Sequence, residues 1–555
     1  MVDSSNQSEL DARTIVEQEM LAAGVRPVQI KVRTFPGETI IIVEVSQDFE
    51  HALKVAQELD SKIKNGFITV RQADLKTIKK RAAPVEGVND PKVNELLTLL
   101  STRARTSESQ PSLRYIQDAE KRLGVAMAPR HNLIFGRRGV GKTALLLEAR
   151  RVLENQGNYS LWINVQALRS LSIAKVFLNV ALRICDLLLS QEATRQSRIS
   201  IDSLRGLRTN IETRLLSENC ALDDAALLVP LLQQECARFS FQTQKTIFLF
   251  IDDVHYLPSQ EVPKFLDLLH GVSRDNLMWL KVAGIQHQTR WFIPVPATGL
   301  QTGHDADIIN LDVTLEYPER AKLFLENVLR SYVEDSQALP LGNVLSTSAI
   351  DRLVLASGGV PRDFLTLCAA SIQTARQRPN AKTVGVQDVN NAAGVAGATK
   401  LQELEDDAAS VDGRSTELVT ALNVVRAFLL EVEEITFFRV NFRDKETHSK
   451  EYRVLQALAD LRMLHLINQS LSDQHHAGQR AEVYLLDLSQ YSGTRLKQGI
   501  HVLDFERGHL VLKRTRSAEP ARAGDTPLKL VSLLRRAPMF DLSRLDEPRH
   551  LLDEA

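Results

Sequence analysis

Residues Gly136, Arg137, Arg138, Gly139, Val140, Gly141, Lys142 and Thr143 spell G-x-x-x-x-G-K-T directly after the apolar run Asn132 to Phe135. Glycines in such a loop let the backbone curl until successive N–H groups face inward. They form an anion cradle at the positive end of the following helix. The phosphates of a nucleotide are its natural occupant. Gly136, Gly139, Val140, Gly141, Lys142, Thr143 and Ala144 line the cradle, with Lys142 reaching the β- and γ-phosphates and the Thr143 hydroxyl available to Mg²⁺. Further along, Thr246 to Ile251 is an unbroken apolar and β-branched run that ends in Asp252 and Asp253. This pattern predicts a buried parallel strand with acids at its tip. Ligands of open α/β sheets bind at the carboxyl ends of strands, so Asp252 is expected beside the loop on the metal side and Asp253 against the attacking water.

Positioning these groups requires alternating strands and helices. Ser160 to Val165, Trp279 to Ala283 and Ile308 to Val313 join the two strands above in an expected five-stranded parallel sheet, its faces covered through right-handed crossovers. Leu171 to Leu189 and Val262 to Leu269 read as helices, and Glu192 to Ala226 as a polar, helix-prone insertion. The expected fold class is α/β, a P-loop core at 111–315 followed by a helical lid at 316–400. Ahead of it, 1–75 reads as a small α/β module and 76–110, with Pro84 and Pro91 as breakers, as a linker.

The chain has 555 residues with 68 basic and 69 acidic side chains, so any surface for a polyanion must be local. Cys185, Cys220, Cys236 and Cys368 never approach C-x-x-C spacing, which encodes neither a zinc knuckle nor a disulfide framework. No uncharged apolar segment reaches membrane-spanning length and Met1 to Leu10 is polar. The expectation is a cytoplasmic protein with no membrane partner.

The run Gly136 to Leu146, with Phe248 to Leu257 ("FLFIDDVHYL") and Ser357 to Leu365 ("SGGVPRDFL"), resembles the AAA+ ATPases of the origin-recognition-complex type. The resemblance spans Pro111 to Thr515 and implies a P-loop core, a helical lid and a winged helix. It implies ATP with Mg²⁺, Walker A roles for Lys142 and Thr143, Asp252 as metal-side acid, and Arg362 as the lid arginine known as sensor 2. Gln286 or His287 takes the sensor 1 place, though neither is the Asn, Ser or Thr typical of the family. Asp253 stands where relatives carry glutamate, one methylene longer, which implies slow turnover. No arginine lies between Trp291 and Asn310, where the family offers a finger to a neighbouring subunit; Arg290 is nearest.

Residues 415–515 have a winged-helix outline, with Leu418 to Leu430 as first helix, Lys450 to Leu461 as the helix before a hairpin, and Ser472 to Arg480 as the wing. Such helices enter the major groove while the wing touches the backbone. Arg443, Lys445, Lys450 and Arg453 supply the helix-side charge and His475, His476 and Arg480 that of the wing. Lys450, Arg453 and Arg480 are the candidate contacts to duplex DNA. The tail, 516–555, either braces this domain or docks a partner. Together these features predict a nucleotide-switched DNA-binding ATPase. The alternative is a signalling or scaffold NTPase of the STAND kind, in anti-phage defence, whose N-terminal module recruits an effector. A homo-oligomer is compatible with both readings.

Overall fold

The computed structural model describes residues 14–25, 27–35, 38–45, 49–60, 66–72, 84–103, 115–116, 121–191, 198–217, 220–410, 414–472, 478–492, 499–506, 509–514 and 530–546. The chain divides into two compact units, Met1–Pro84 and Val85–Ala555. In the first, β1 (Pro27–Phe35) runs antiparallel to β2 (Glu38–Val45), and β3 (Gly66–Gln72) runs parallel to β2 after the helix Phe49–Asp60. Alternation sends Ile41, Val43 and Val45 to one face, where they are buried with Ile68, Val70, Val55 and Leu59. Asp60 Oδ1 accepts from the Ile68 amide at 2.6 Å and ties the helix end to β3.

The second unit is built around β4 (His131–Phe135), β5 (Tyr159–Asn164), β6 (Ile247–Asp252) and β7 (Met278–Gly284). A short hairpin, β8 (Phe292–Pro294) and β9 (Ala297–Gly299), precedes β10 (Ala306–Asn310). The five long strands form one all-parallel sheet in the order β10-β4-β7-β6-β5. Every residue of β6 is buried, which explains its continuous apolar run. Phe248 and Phe250 pack with Leu145, Leu146, Ala149 and Leu153 of the helix Lys142–Asn155. Ile247, Leu249 and Ile251 face the opposite layer, with Phe177, Leu232 and Phe265 from three other helices. Each fully buried side chain of this size contributes about 1.5–3 kcal/mol, so two covered faces hold the strand tips in place.

The helices Pro318–Asp335, Thr347–Ser357, Pro361–Arg376 and Val386–Ser410 follow. Within the span expected as linker, the helix Pro91–Arg103 buries Val93, Leu96 and Leu100 in the same core as these helices. Val88 N donates to Lys382 O at 2.9 Å, and Arg376 Nε donates to Val88 O at 2.7 Å. Helical spacing of the apolar residues outweighs the polar composition of this stretch.

Beyond the helix Arg414–Ala427 lie β11 (Phe437–Asn441), the helices Phe442–Thr447 and Ser449–Asp460, β12 (Leu464–Ser472) and β13 (Arg480–Leu486). The three strands are antiparallel in the order β11-β13-β12. Lys445 is not a free surface charge: its ammonium donates to Glu482 at 2.6 Å, and Glu482 also accepts from the hydroxyls of Tyr452 (2.9 Å) and Tyr484 (2.8 Å). Burying Glu482 requires that its lone pairs be filled, and Lys445 is consumed in doing so. A further hairpin, β14 (His501–Glu506) with β15 (His509–Arg514), is bridged by Asp504 to Arg352 at 3.4 Å.

The tail returns to this domain. Arg439 N donates to Pro538 O, and Phe540 N to Arg439 O, both at 2.8 Å, so the segment pairs along β11. Phe540 is fully buried between the rings of Phe428 and Phe438, with centroids 5.1 and 5.4 Å away. Replacing Phe540 with Ala should lower the stability of the C-terminal domain by about 3–5 kcal/mol, through a cavity that cannot collapse. Urea unfolding followed by hydrogen exchange at β11 and β13 checks this.

Candidate nucleotide site

The loop 136–141 leaves β4 at its carboxyl end and turns into the helix Lys142–Asn155. Its tightness is set by contacts that only glycine permits. A Cβ at Gly136 would lie 2.7 Å from Val140 Cγ2, and one at Gly139, where φ is +85°, would lie 2.9 Å from Arg362 Cβ. Gly141 is the helix N-cap and no side chain caps the first turn, which leaves its amides available to an anion.

Lys142 is buried at the centre of the loop, and its ammonium donates to the carbonyls of Gly136 (2.7 Å) and Arg137 (3.1 Å). Burial holds its pKa below the ordinary lysine value, opposed by Asp252, Asp312 and Asp253. Thr143 Oγ1 donates to Asp252 Oδ2 at 2.7 Å, so the expected pair is in direct contact across the gap between loop and β6. Burial and the Asp253 charge push the Asp252 carboxyl up to about 6, against the opposing pull of Thr143 and Lys142. Asp253 is raised by burial, opposed by Lys142, Arg138 and Arg362. Its φ of +61° starts a short turn, Val254–Tyr256, that swings His255 back under it. The His255 side chain is 4% exposed, with Nδ1 lying 4.0 Å from Asp253 Oδ1. That nitrogen has no hydrogen-bond partner among the described residues.

Sequence reasoning missed the groups that hold the loop to its surroundings. The Arg137 amide and Nε both donate to Asp312 Oδ1, at 2.9 and 3.1 Å. Its Nη2 donates to Val313 O (3.1 Å) and Gly358 O (3.2 Å). One buried guanidinium therefore joins the 136–141 loop, the exit of β10 and the Gly358-Gly359 turn before the helix Pro361–Arg376. Arg137 occupies a variable position of the motif and Asp312 follows a strand without further pattern, so nothing in the sequence pairs them.

Arg362 is brought to the loop: its amide donates to Gly139 O at 3.3 Å, and its exposed guanidinium has no ion pair among the described residues. Gln286 is exposed, and His287 Nε2 bonds to Asp460 Oδ2 of the C-terminal domain. Arg290 is exposed and donates to Gln260 Oε1 at 2.9 Å. Of the DNA candidates, Lys450 is 69% exposed and lies 3.8 Å from Glu417, Arg453 is exposed with Nε donating to Ser449 O of its own helix, and Arg480 is exposed at the start of β13. His475 and His476 lie outside the described residues.

The donor set fits Mg²⁺ bound with a nucleotide: one hydroxyl and one carboxylate, 2.7 Å apart, with phosphate oxygens and water completing the shell. Among the described residues no group of three or more His, Cys, Asp or Glu could hold a metal by itself, and no helix is long and apolar enough to cross a membrane.

No family model matches the sequence, and no curated protein matches it. Among solved structures, the fold is similar to the Orc1 protein of Aeropyrum pernix in complex with DNA, at 12% identity over 74% of this chain and 92% of that one, TM-score 0.32. It is also similar to the RuvB Holliday junction branch migration motor of Thermotoga maritima, at 13% identity over 53% of this chain and 78% of that one, TM-score 0.30. The functional reading therefore rests on the site's own residues.

Asp312→Ala should destabilise the second unit by about 3–5 kcal/mol, because Arg137 is left buried without its carboxylate. Denaturant unfolding compared with Asp312→Asn, which keeps an acceptor oxygen, measures the loss.

Proposed function

We propose that the chain is a nucleotide-switched ATPase of the AAA+ class that binds Mg·ATP, hydrolyses it slowly and couples its nucleotide state to duplex DNA. The observation that carries this reading is the hydrogen bond between Thr143 and Asp252, which joins the phosphate loop to the acidic strand tip. Bound Mg²⁺ would supply charge neutralisation on the phosphate oxygens. Thr143 and Asp252 would hold it. The loop amides and Lys142 would bind the phosphates, Lys142 exchanging its carbonyl partners for them. Asp253 would orient and deprotonate the attacking water, and its short side chain accounts for slow turnover. Arg362, already against Gly139 with a free guanidinium, would pair with the terminal phosphate and release it after cleavage.

The order helix, strand, helix, helix, strand, strand over 414–486, with sheet order β11-β13-β12, supports reading this domain as the winged helix of an origin-recognition-complex type protein. Lys450, Arg453 and Arg480 would meet phosphates, mainly electrostatically. The separate unit at Met1–Pro84 has its own small core, which suits a module that recruits a partner. That same independence favours the second reading, a STAND-like scaffold that assembles around an effector. Light scattering with a non-hydrolysable analogue separates the two: assembly without DNA supports the scaffold, assembly only with DNA supports the DNA-coupled ATPase.

Asp253→Asn should lower ATP turnover by about a hundredfold or more while nucleotide still binds. Duplex affinity should differ between ATP and ADP in the parent and lose that difference in Lys142→Ala; identical affinities in all three would refute the coupling. Lys450→Ala and Arg453→Ala should each reduce the slope of log affinity against log salt by about one.

A further inference from the structure

One short stretch of the C-terminal domain touches both flanks of the nucleotide site. Asp460 ends the helix Ser449–Asp460 and is buried, and its Oδ2 accepts from His287 Nε2 and Gln288 Nε2. His287 and Gln288 leave the tip of β7, the strand between β4 and β6. Two residues after Asp460, Arg462 takes a φ of +61° and its Nη1 donates to Asp363 Oδ1, beside Arg362. The His465 ring, held by Asp487 at 2.7 Å, lies where a Cβ on Gly358 would be, 2.1 Å from its Nδ1. Asn468 Nδ2 donates to Glu316 Oε1 at 3.1 Å. Residues 460–468 thus grip the β7 tip on one side and the Gly358-Gly359 turn and its helix on the other.

The grip on the β7 tip is polar, with Asp460 Oδ2 shared by two donors. His287 and Gln288 are donors aimed at a single carboxylate, and they leave β7 between β4 and β6, the strands that lead into Lys142 and end at Asp252. A terminal phosphate is the other strong acceptor these donors could serve. Arg462 meanwhile fixes Asp363, and with it the start of the helix that carries Arg362.

We propose that the Asp460–Arg462 turn is a latch: its carboxylate competes with the terminal phosphate of the nucleotide for His287 and Gln288, so that latch closure and triphosphate engagement exclude each other. The proposal rests on the reading of 136–143 as a nucleotide site and adds how a second domain regulates it. Opening the latch would release the C-terminal domain from the β7 tip, which gives the nucleotide state a direct route to the domain that carries Lys450 and Arg453. By reciprocity, whatever pulls that domain away strengthens triphosphate binding by the same factor.

The test uses the full chain and calorimetric titration with Mg²⁺ plus a non-hydrolysable ATP analogue, and separately with ADP. Asp460→Asn, which keeps the shape and weakens the acceptor, should tighten analogue binding by between about five- and a hundredfold and leave ADP binding unchanged. Arg462→Ala should act in the same direction through Asp363. In a His287→Ala, Gln288→Ala background, Asp460→Asn should have no further effect, because the donors it competes for are gone. Analogue affinity unchanged or weakened in both single variants, or an equal gain for ADP, overturns the latch. A parent chain that binds neither nucleotide overturns instead the reading of the site on which the latch rests.

Discussion

The 2.7 Å hydrogen bond from Thr143 Oγ1 to Asp252 Oδ2 spans the space between a loop following β4 and the end of β6, two strands that are not neighbours in the sheet. It forms only if both strand tips stand at the same height, and the layers on either face of the sheet set that height. Helix Lys142–Asn155 presses Leu145, Leu146 and Ala149 onto Phe248 and Phe250, and so locates Thr143 from below. Packing of the opposite face locates Asp252. The fold therefore fixes the distance between hydroxyl and carboxylate before any ligand arrives, which is the preorganisation that tight binding of a charged group needs.

A second constraint closes the loop against the rest of the molecule. Arg137 gathers Asp312, Val313 O and Gly358 O around a buried guanidinium, so the loop cannot shift without moving the turn that precedes Arg362. The same turn is packed against His465. The 136–141 loop, the Gly358-Gly359 turn and the C-terminal sheet thus form one contiguous set of contacts. A change in what the loop holds has a physical path to residues far along the chain.

The five-stranded sheet and the meeting of Thr143 with Asp252 at its tips were legible because the signals are local: a loop motif after an apolar strand, and an apolar strand ending in acids. The position of Arg362 beside the loop was legible through its flanking Ser357 to Leu365. The groups that join elements were not. Asp312, Asp460 and Arg462 sit at positions with no motif, and their partners are remote in sequence, so only the folded chain pairs them. The helix Pro91–Arg103 was obscured by polar neighbours, although Val93, Leu96 and Leu100 carry its periodicity. Lys445 read as surface charge because nothing nearby in sequence reveals Glu482 as its partner.

The measurement that bears most directly on the central claim is the heat of Mg·ATP binding to the full chain and to Lys142→Ala. One saturating site per chain in the parent and none in the variant is the predicted result. No heat in the parent, or equal heat in both, would contradict it.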